Sequence, residues 1–270
     1  MSGVSATDKP ATLDEALRTL RLLKSDISGA DHRAIAKAAS LVEDFNFTLA
    51  QVQSELGECD IPPIVGITGS PGVGKSTTTN ALINYFRQQN LSVGIIAVDP
   101  SSVITGGALL GDRIRLTQHF SDKKVYIRSL ATRGALGGLS GATDAVVAIL
   151  AVAQFDVIIV ETVGVGQSEI DVMRHADTVV VLLAPGMGDS IQAAKAGVME
   201  IGDIYLVNKS DRGGADEVAR EVERSLSLSA KDPRWKPPVI IGAMENESGI
   251  SELASAISQH IAHKGKSLTN

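Results

Sequence analysis

The sequence predicts an α/β fold: a doubly wound, mostly parallel sheet of about seven strands with a helical segment on its N-terminal side. Three observations carry this. From Ile64 onward, short apolar runs alternate with helical patterns, which is the signature of strands joined by crossover helices. The runs are apolar throughout rather than alternating, as strands covered on both faces must be. The first of them, Ile64 to Thr68, leads through Gly69-Ser70-Pro71-Gly72-Val73-Gly74 into Lys75-Ser76-Thr77 and a helical pattern.

Taken in order, residues 12 to 57 read as helices. Leu13, Leu17, Leu20, Leu22 and Leu23, then Ile35, Ala38, Leu41 and Val42, recur at spacings compatible with apolar helix faces, and Asp31 or Ser40 can cap a start. These faces suit a helical lid over the sheet or a docking surface for a partner. Glu58 to Pro63, with Pro62-Pro63, reads as a joint. The strands then fall at Ile64 to Thr68, Val93 to Asp99, Val125 to Leu130, Asp156 to Glu161, Thr178 to Ala184, Ile204 to Asn208 and Val239 to Ile241. The expected organisation is a helical segment over 1–60, a nucleotide-binding domain over 61–263 and a disordered tail over 264–270. In such a sheet the ligand sits beyond the carboxyl ends of the strands, where Gly69, Asp99, Glu161 and Asn208 each end or follow an apolar run.

The chemistry starts at Gly69 to Thr77. A polyphosphate needs several backbone N–H groups converging on its oxygens, and only residues without a Cβ turn that tightly against a ligand, which accounts for Gly69, Gly72 and Gly74. Lys75 would reach the β- and γ-phosphates, the Ser76 hydroxyl would ligate Mg²⁺, and the helix that follows points its positive end at the anion. The pattern predicts a P-loop NTPase. Downstream, Asn208-Lys209-Ser210-Asp211 follows the run Ile204 to Val207. In a guanine motif of this form, the Asp211 carboxylate accepts from N1–H and the exocyclic amine of guanine. Adenine offers no such pair, so a committed site rejects it by about 10⁴ or more. Alone the tetrapeptide is also a polar turn after a strand; its position after a phosphate loop gives it weight.

Glu161 follows Phe155 to Val160 and precedes Thr162-Val163-Gly164. A carboxylate there can hold Mg²⁺ through water or orient the attacking water, and Gly164 allows an N–H to approach the γ-phosphate. Asp99, in Ala-Val-Asp-Pro-Ser-Ser, likewise ends a strand, although Asp-Pro also makes turns. Asp112 lies in the Gly-rich segment Thr105 to Arg113, whose composition suits a mobile switch.

Composition narrows the classes further. The 270 residues are 44% hydrophobic but only 3% aromatic, so the core is aliphatic. A net charge of −6 argues against nucleic acid as a partner, an interaction led by Lys and Arg. Cys59 is the single cysteine, which allows no internal disulfide and makes a structural zinc site a poor fit. The N-terminal residues have no apolar signal core, and no run approaches a membrane span; a cytoplasmic protein without membrane contact is the expectation.

The strings AVDPSS, TGGALLGDRIRL, ATRGALGGLS, ETVGVGQSEIDV and APGMGDSIQAAKAGVMEIGDIYLVNKSD resemble the MeaB/ArgK family of P-loop GTPases, from about residue 12 to about residue 262. The family consists of chaperones of adenosylcobalamin-dependent acyl-CoA mutases, methylmalonyl-CoA mutase above all. The resemblance implies GTP/GDP and Mg²⁺ as cofactors and such a mutase as partner. It implies a phosphate loop at Gly69 to Thr77, metal and switch carboxylates at Asp99, Asp112 and Glu161, a guanine motif at Asn208, Lys209 and Asp211, and a last base-contacting loop at Gly242, Ala243 and Met244. It also implies a third switch over 185–199, with Asp189 and Lys195 at its polar positions. Lys195 is then an internal counterpart of an arginine finger, or else a solvated helix residue. Three features depart from the family: Gly242 stands where Ser is common, with a backbone N–H as the expected contact; Ser210 replaces Ala; and the family continues into a C-terminal dimerisation arm whereas this sequence runs to Asn270, so a homodimer is expected only in part. The ArgK name implies an alternative, a phosphotransferase, for which no acceptor base stands out. Another is a metal-insertion GTPase of the nickel type, for which His32, His119, His175, His260 and His263 are scattered.

Overall fold

The computed structural model describes residue 10 and residues 12–99, 116, 118–131, 143–162, 175–186, 200–227 and 234–268, with Asp99 and Ala131 described by their backbone only. They belong to two compact units, 1–61 with 141–154, and 62–140 with 155–270.

The first unit is helical: α1 (Leu13–Leu22), α2 (Lys24–Ser28), α3 (His32–Phe45), α4 (Leu49–Leu56) and, from later in the chain, α5 (Thr143–Val152). Each start has a physical cause. The Thr12 hydroxyl accepts from Glu15 N–H, Asp31 accepts from Arg33 N–H at 2.8 Å, and Thr48 and Gln51 satisfy one another's backbone donors in a capping box. Of the two residues expected to cap a helix start, Asp31 does so, while Ser40 lies within α3. The helix buries Ile35, Ala38, Leu41 and Val42, as the spacing predicts. In α1 the buried residues are Ala16 and Leu20, while Leu22 is 71% exposed. Two residues apart on a helix do not face the same way, so Leu20 and Leu22 cannot share an apolar stripe. α5 is buried at every position except the exposed Asp144 in its first turn, as its otherwise apolar sequence requires.

The second unit is built on a seven-stranded sheet: β1 (Ile64–Gly69), β2 (Val93–Asp99), β3 (Val125–Ala131), β4 (Val157–Thr162), β5 (Thr178–Leu183), β6 (Ile204–Val207) and β7 (Val239–Ile241). Their order is β3-β2-β4-β1-β5-β6-β7, and every pairing is parallel. β1, β4, β5 and β6 are buried at every position, which is why their sequences do not alternate. Three further helices are α6 (Lys75–Gln88), α7 (Ala215–Leu226) and α8 (Ile250–His263). Leu82 and Phe86 of α6 and Leu253 and Ile257 of α8 pack with Val65, Ile67 and Val180 in one core. Val218 and Val222 of α7 pack with Val179, Val181 and Tyr205 in the other. Past α8, where the sequence reads as a tail, Lys266 Nζ donates to Asp177 Oδ2 at 2.8 Å and Leu268 packs against the first of these cores.

The chain leaves central β1 for β2 and β3 on one side, returns to β4, and then builds outward through β5 on the other. That reversal opens a crevice at the carboxyl end of β1, where the loop beginning at Gly69 emerges.

Candidate functional site

The loop's glycines answer to specific steric demands. A Cβ on Gly69 would lie 2.4 Å from the Leu182 carbonyl oxygen of β5, and one on Gly74 would lie 2.3 Å from Asn208 Nδ2. Gly72 and Gly74 also hold φ of 81° and 101°, a region costly to residues with a Cβ. Gly74 is the N-cap of α6 and no side chain caps that helix. Its first turn therefore presents N–H groups and the positive dipole end toward the loop mouth, an anion site by construction. Lys75 is 8% exposed; its Nζ donates to Gly69 O at 2.7 Å and Ser70 O at 3.1 Å, so the ammonium lies folded over the loop. Ser70 is half-buried, Pro71 and Thr77 are exposed, and Val73 is buried beneath the turn.

Glu161 stands beside this loop because of strand register. β4 lies between β1 and β2, and Glu161 pairs with Ile67 on one side and Ala97 on the other. The carboxylate is buried, 6% exposed. Ser76 Oγ donates to its Oε1 and Thr79 Oγ1 to its Oε2, each at 2.6 Å. Asp99 ends β2 one residue beyond the Val98–Thr162 pair; its side chain, like Asp112, Gly164, Asp189 and Lys195, lies outside the described residues.

On the other side of the loop, Asn208 follows β6 and joins two segments. Its Nδ2 donates to Val73 O at 2.9 Å, and its Oδ1 accepts from Met244 N–H at 3.0 Å. Lys209, in the left-handed region at φ 60°, extends its Nζ to the Gly72 carbonyl. Asp211 sits in a 3-10 turn, Ser210–Arg212, with its side chain exposed. The last loop lies alongside: Ser210 N–H donates to Gly242 O at 3.1 Å, Gly242 N–H to Val207 O at 3.0 Å, and Ala243 N–H to Ser248 O at 3.0 Å. A Cβ on Gly242 would lie 2.6 Å from Ser248 O. Glycine at this departure from the family pattern is thus a packing requirement of this chain's own loop.

Thr79 is a residue that sequence reasoning missed. The signal was available: Ser76 and Thr79 are three apart, hence on one helix face. Its partner could not be foreseen without the register of β4.

A phosphate loop at the switch point of a parallel sheet, joined through one asparagine to an Asn-Lys-x-Asp loop, defines a P-loop GTPase. The family model described as methylmalonyl Co-A mutase-associated GTPase MeaB matches residues 35–269, and the chain belongs to that family. It is 48% identical over 237 residues to a Pyrococcus horikoshii protein named as a GTPase, spanning 85% of this chain and 74% of the relative. It is 35% identical over 258 residues to GTPase ArgK of Escherichia coli, spanning 92% and 75%. Among solved structures, a LAO/AO transport system kinase superposes with a TM-score of 0.68 at 27% identity, covering 97% of this chain and 80% of that one.

Proposed function

We propose that the chain is a Mg²⁺-dependent GTPase whose nucleotide state gates the assembly, cofactor loading or protection of an adenosylcobalamin-dependent acyl-CoA mutase, methylmalonyl-CoA mutase first among them. The observation that carries this is the Asn208 bridge from phosphate loop to base loop, in a chain whose family model is described as mutase-associated.

The residues would divide the work as follows. The N–H groups around Gly69, Ser70, Pro71, Gly72, Val73 and Gly74, with Ser76 and Thr77, bind the phosphates, and Lys75 exchanges the Gly69 and Ser70 carbonyls for phosphate oxygens. Asp211 reads N1–H and the amine of guanine, Lys209 flanks the ring, and the loop of Gly242, Ala243 and Met244 closes over the base edge. Ser76 and Glu161 offer Mg²⁺ an oxygen-only set, one hydroxyl and one carboxylate already 2.6 Å apart. Hard oxygen donors with room for phosphate oxygens and water suit that ion. When bound, it would neutralise charge developing on the phosphates. Asp99 and Asp112 complete the metal and switch carboxylates, and Gly164 supplies an N–H toward the γ-phosphate. Glu161 also orients the attacking water. Asp189 and Lys195 belong to the third switch, with Lys195 brought to the phosphates when the mutase docks. Catalysis of this kind is positioning and charge neutralisation, slow until a partner completes the site.

The test is nucleotide-dependent association. In sedimentation with an acyl-CoA mutase from the same organism, the complex is expected to change in stoichiometry or affinity between GDP and a non-hydrolysable GTP analogue. A complex indifferent to nucleotide, or none with any such mutase, would sink the proposal.

A further inference from the structure

We propose that Thr79 is a positioning residue for Glu161: its buried hydroxyl anchors one carboxylate oxygen so that the other stays directed at Ser76 and the metal position. This rests on the reading of Glu161 as a metal-organising carboxylate.

The geometry separates the two oxygens by role. Oε1 takes the Ser76 hydroxyl, a half-buried group in the first turn of α6, while Oε2 takes the Thr79 hydroxyl one turn further in. Thr79 is 0% exposed, so its side of the carboxylate faces the interior and the Ser76 side faces the loop mouth. The neighbouring threonines take no part in this grip, since Thr78 Oγ1 donates back to Gly74 O at 2.9 Å and Thr77 is exposed. Helical spacing allows this division, because positions i and i+3 sit on one face with Cβ atoms about 5–6 Å apart, close enough for two hydroxyls to grip one carboxylate.

Loss of the Thr79 hydroxyl would take a donor from a buried carboxyl oxygen where water is scarce. Such a loss is costly when the acceptor stays buried, and the carboxylate can reduce the cost by rotating toward other donors. Rotation would draw Oε1 away from Ser76. A metal site then loses its orientation although every ligand is still present, the usual consequence of removing a group that stands behind a ligand.

The test uses the full chain with Thr79→Val, which keeps the shape and removes the hydroxyl, and Thr79→Ser, which keeps the hydroxyl. Mg²⁺ is titrated into the GDP-loaded protein by calorimetry, and GDP affinity is measured separately in EDTA with a fluorescent GDP analogue. Thr79→Val is expected to weaken Mg²⁺ binding about tenfold while metal-free GDP affinity stays within about twofold, and Thr79→Ser is expected to restore most of the loss. Unchanged Mg²⁺ affinity in Thr79→Val would overturn the inference, as would a serine variant as weak as the valine one, since packing rather than the hydroxyl would then be responsible. Should the valine variant fail to fold, Thr79→Ala gives the same comparison. Glu161→Gln separates the two claims. If it too leaves Mg²⁺ binding unchanged, the metal reading of Glu161 fails; if it weakens binding while Thr79→Val does not, only the role of Thr79 fails.

Discussion

Asn208 carries more of the site than its place in a four-residue motif suggests. It is 3% exposed, and its amide supplies a donor to Val73 O and an acceptor to Met244 N–H, so one side chain ties the loop before α6 to the loop at Met244, the two proposed to hold the phosphates and the base. Asn208→Ala leaves both of those backbone groups without it. Buried groups that lose a partner cost about 1–3 kcal/mol each. The variant is therefore expected to lose about 2–4 kcal/mol of unfolding free energy in urea. GDP affinity should fall at least tenfold, measured by titration in the folded baseline. Wild-type GDP affinity in this variant would show that the two loops hold their spacing without the asparagine.

At the scale of elements, α6 is tied at both ends. Its first turn serves the phosphate loop; its outer face meets the segment that precedes β3, through His119 Nε2 and Asn80 Oδ1 at 2.8 Å and through Arg87 Nε to Asp122 Oδ2 at 2.7 Å. Burial lowers the His119 pKa from 6.5, with the Asp122 charge opposing. Burial pushes Asp122 upward, but the Arg87 hydrogen bond, Lys124 N–H and the charges of Arg87 and His119 outweigh it and hold the carboxyl below 3.8. Both signs agree: below about pH 6.5 the unfolded chain binds a proton at His119 before the folded chain does, so stability falls as pH drops toward the folded value. Asp122 adds a further loss only below about pH 4. His119→Gln is expected to flatten the part of a thermal-melt series just below pH 6.5; an unchanged slope would remove His119 as its source. The same elements explain what could be read from sequence. All seven strands lie within a residue or so of the apolar runs, because burial on both faces leaves its mark locally, and Gly69 to Ser76 was legible because its glycines meet a backbone requirement. The grip of Ser76 and Thr79 on Glu161 was not legible, since it depends on β4 lying beside β1 and on the rotation of α6. Nor was the need for glycine at 242, which is set by the approach of Ser248. Leu22 fits an apolar face by composition, but its angle on α1 turns it outward.

For the whole molecule, an acidic chain with an aliphatic core places its phosphate loop at the reversal point of an all-parallel sheet. Among the described residues no helix is long and apolar enough to cross a membrane. The segments that carry the proposed switches, around Asp112, Gly164 and Lys195, follow β2, β4 and β5 in sequence and lie outside the described residues. Completion of this site by a mutase is the proposal with the widest consequence. It is tested most directly by GTP turnover of the purified chain with and without the acyl-CoA mutases of its own organism, with ATP as control and Lys195→Ala alongside. Acceleration by one mutase with GTP and not ATP, diminished in Lys195→Ala, is the expected result. Turnover that no mutase alters would contradict it.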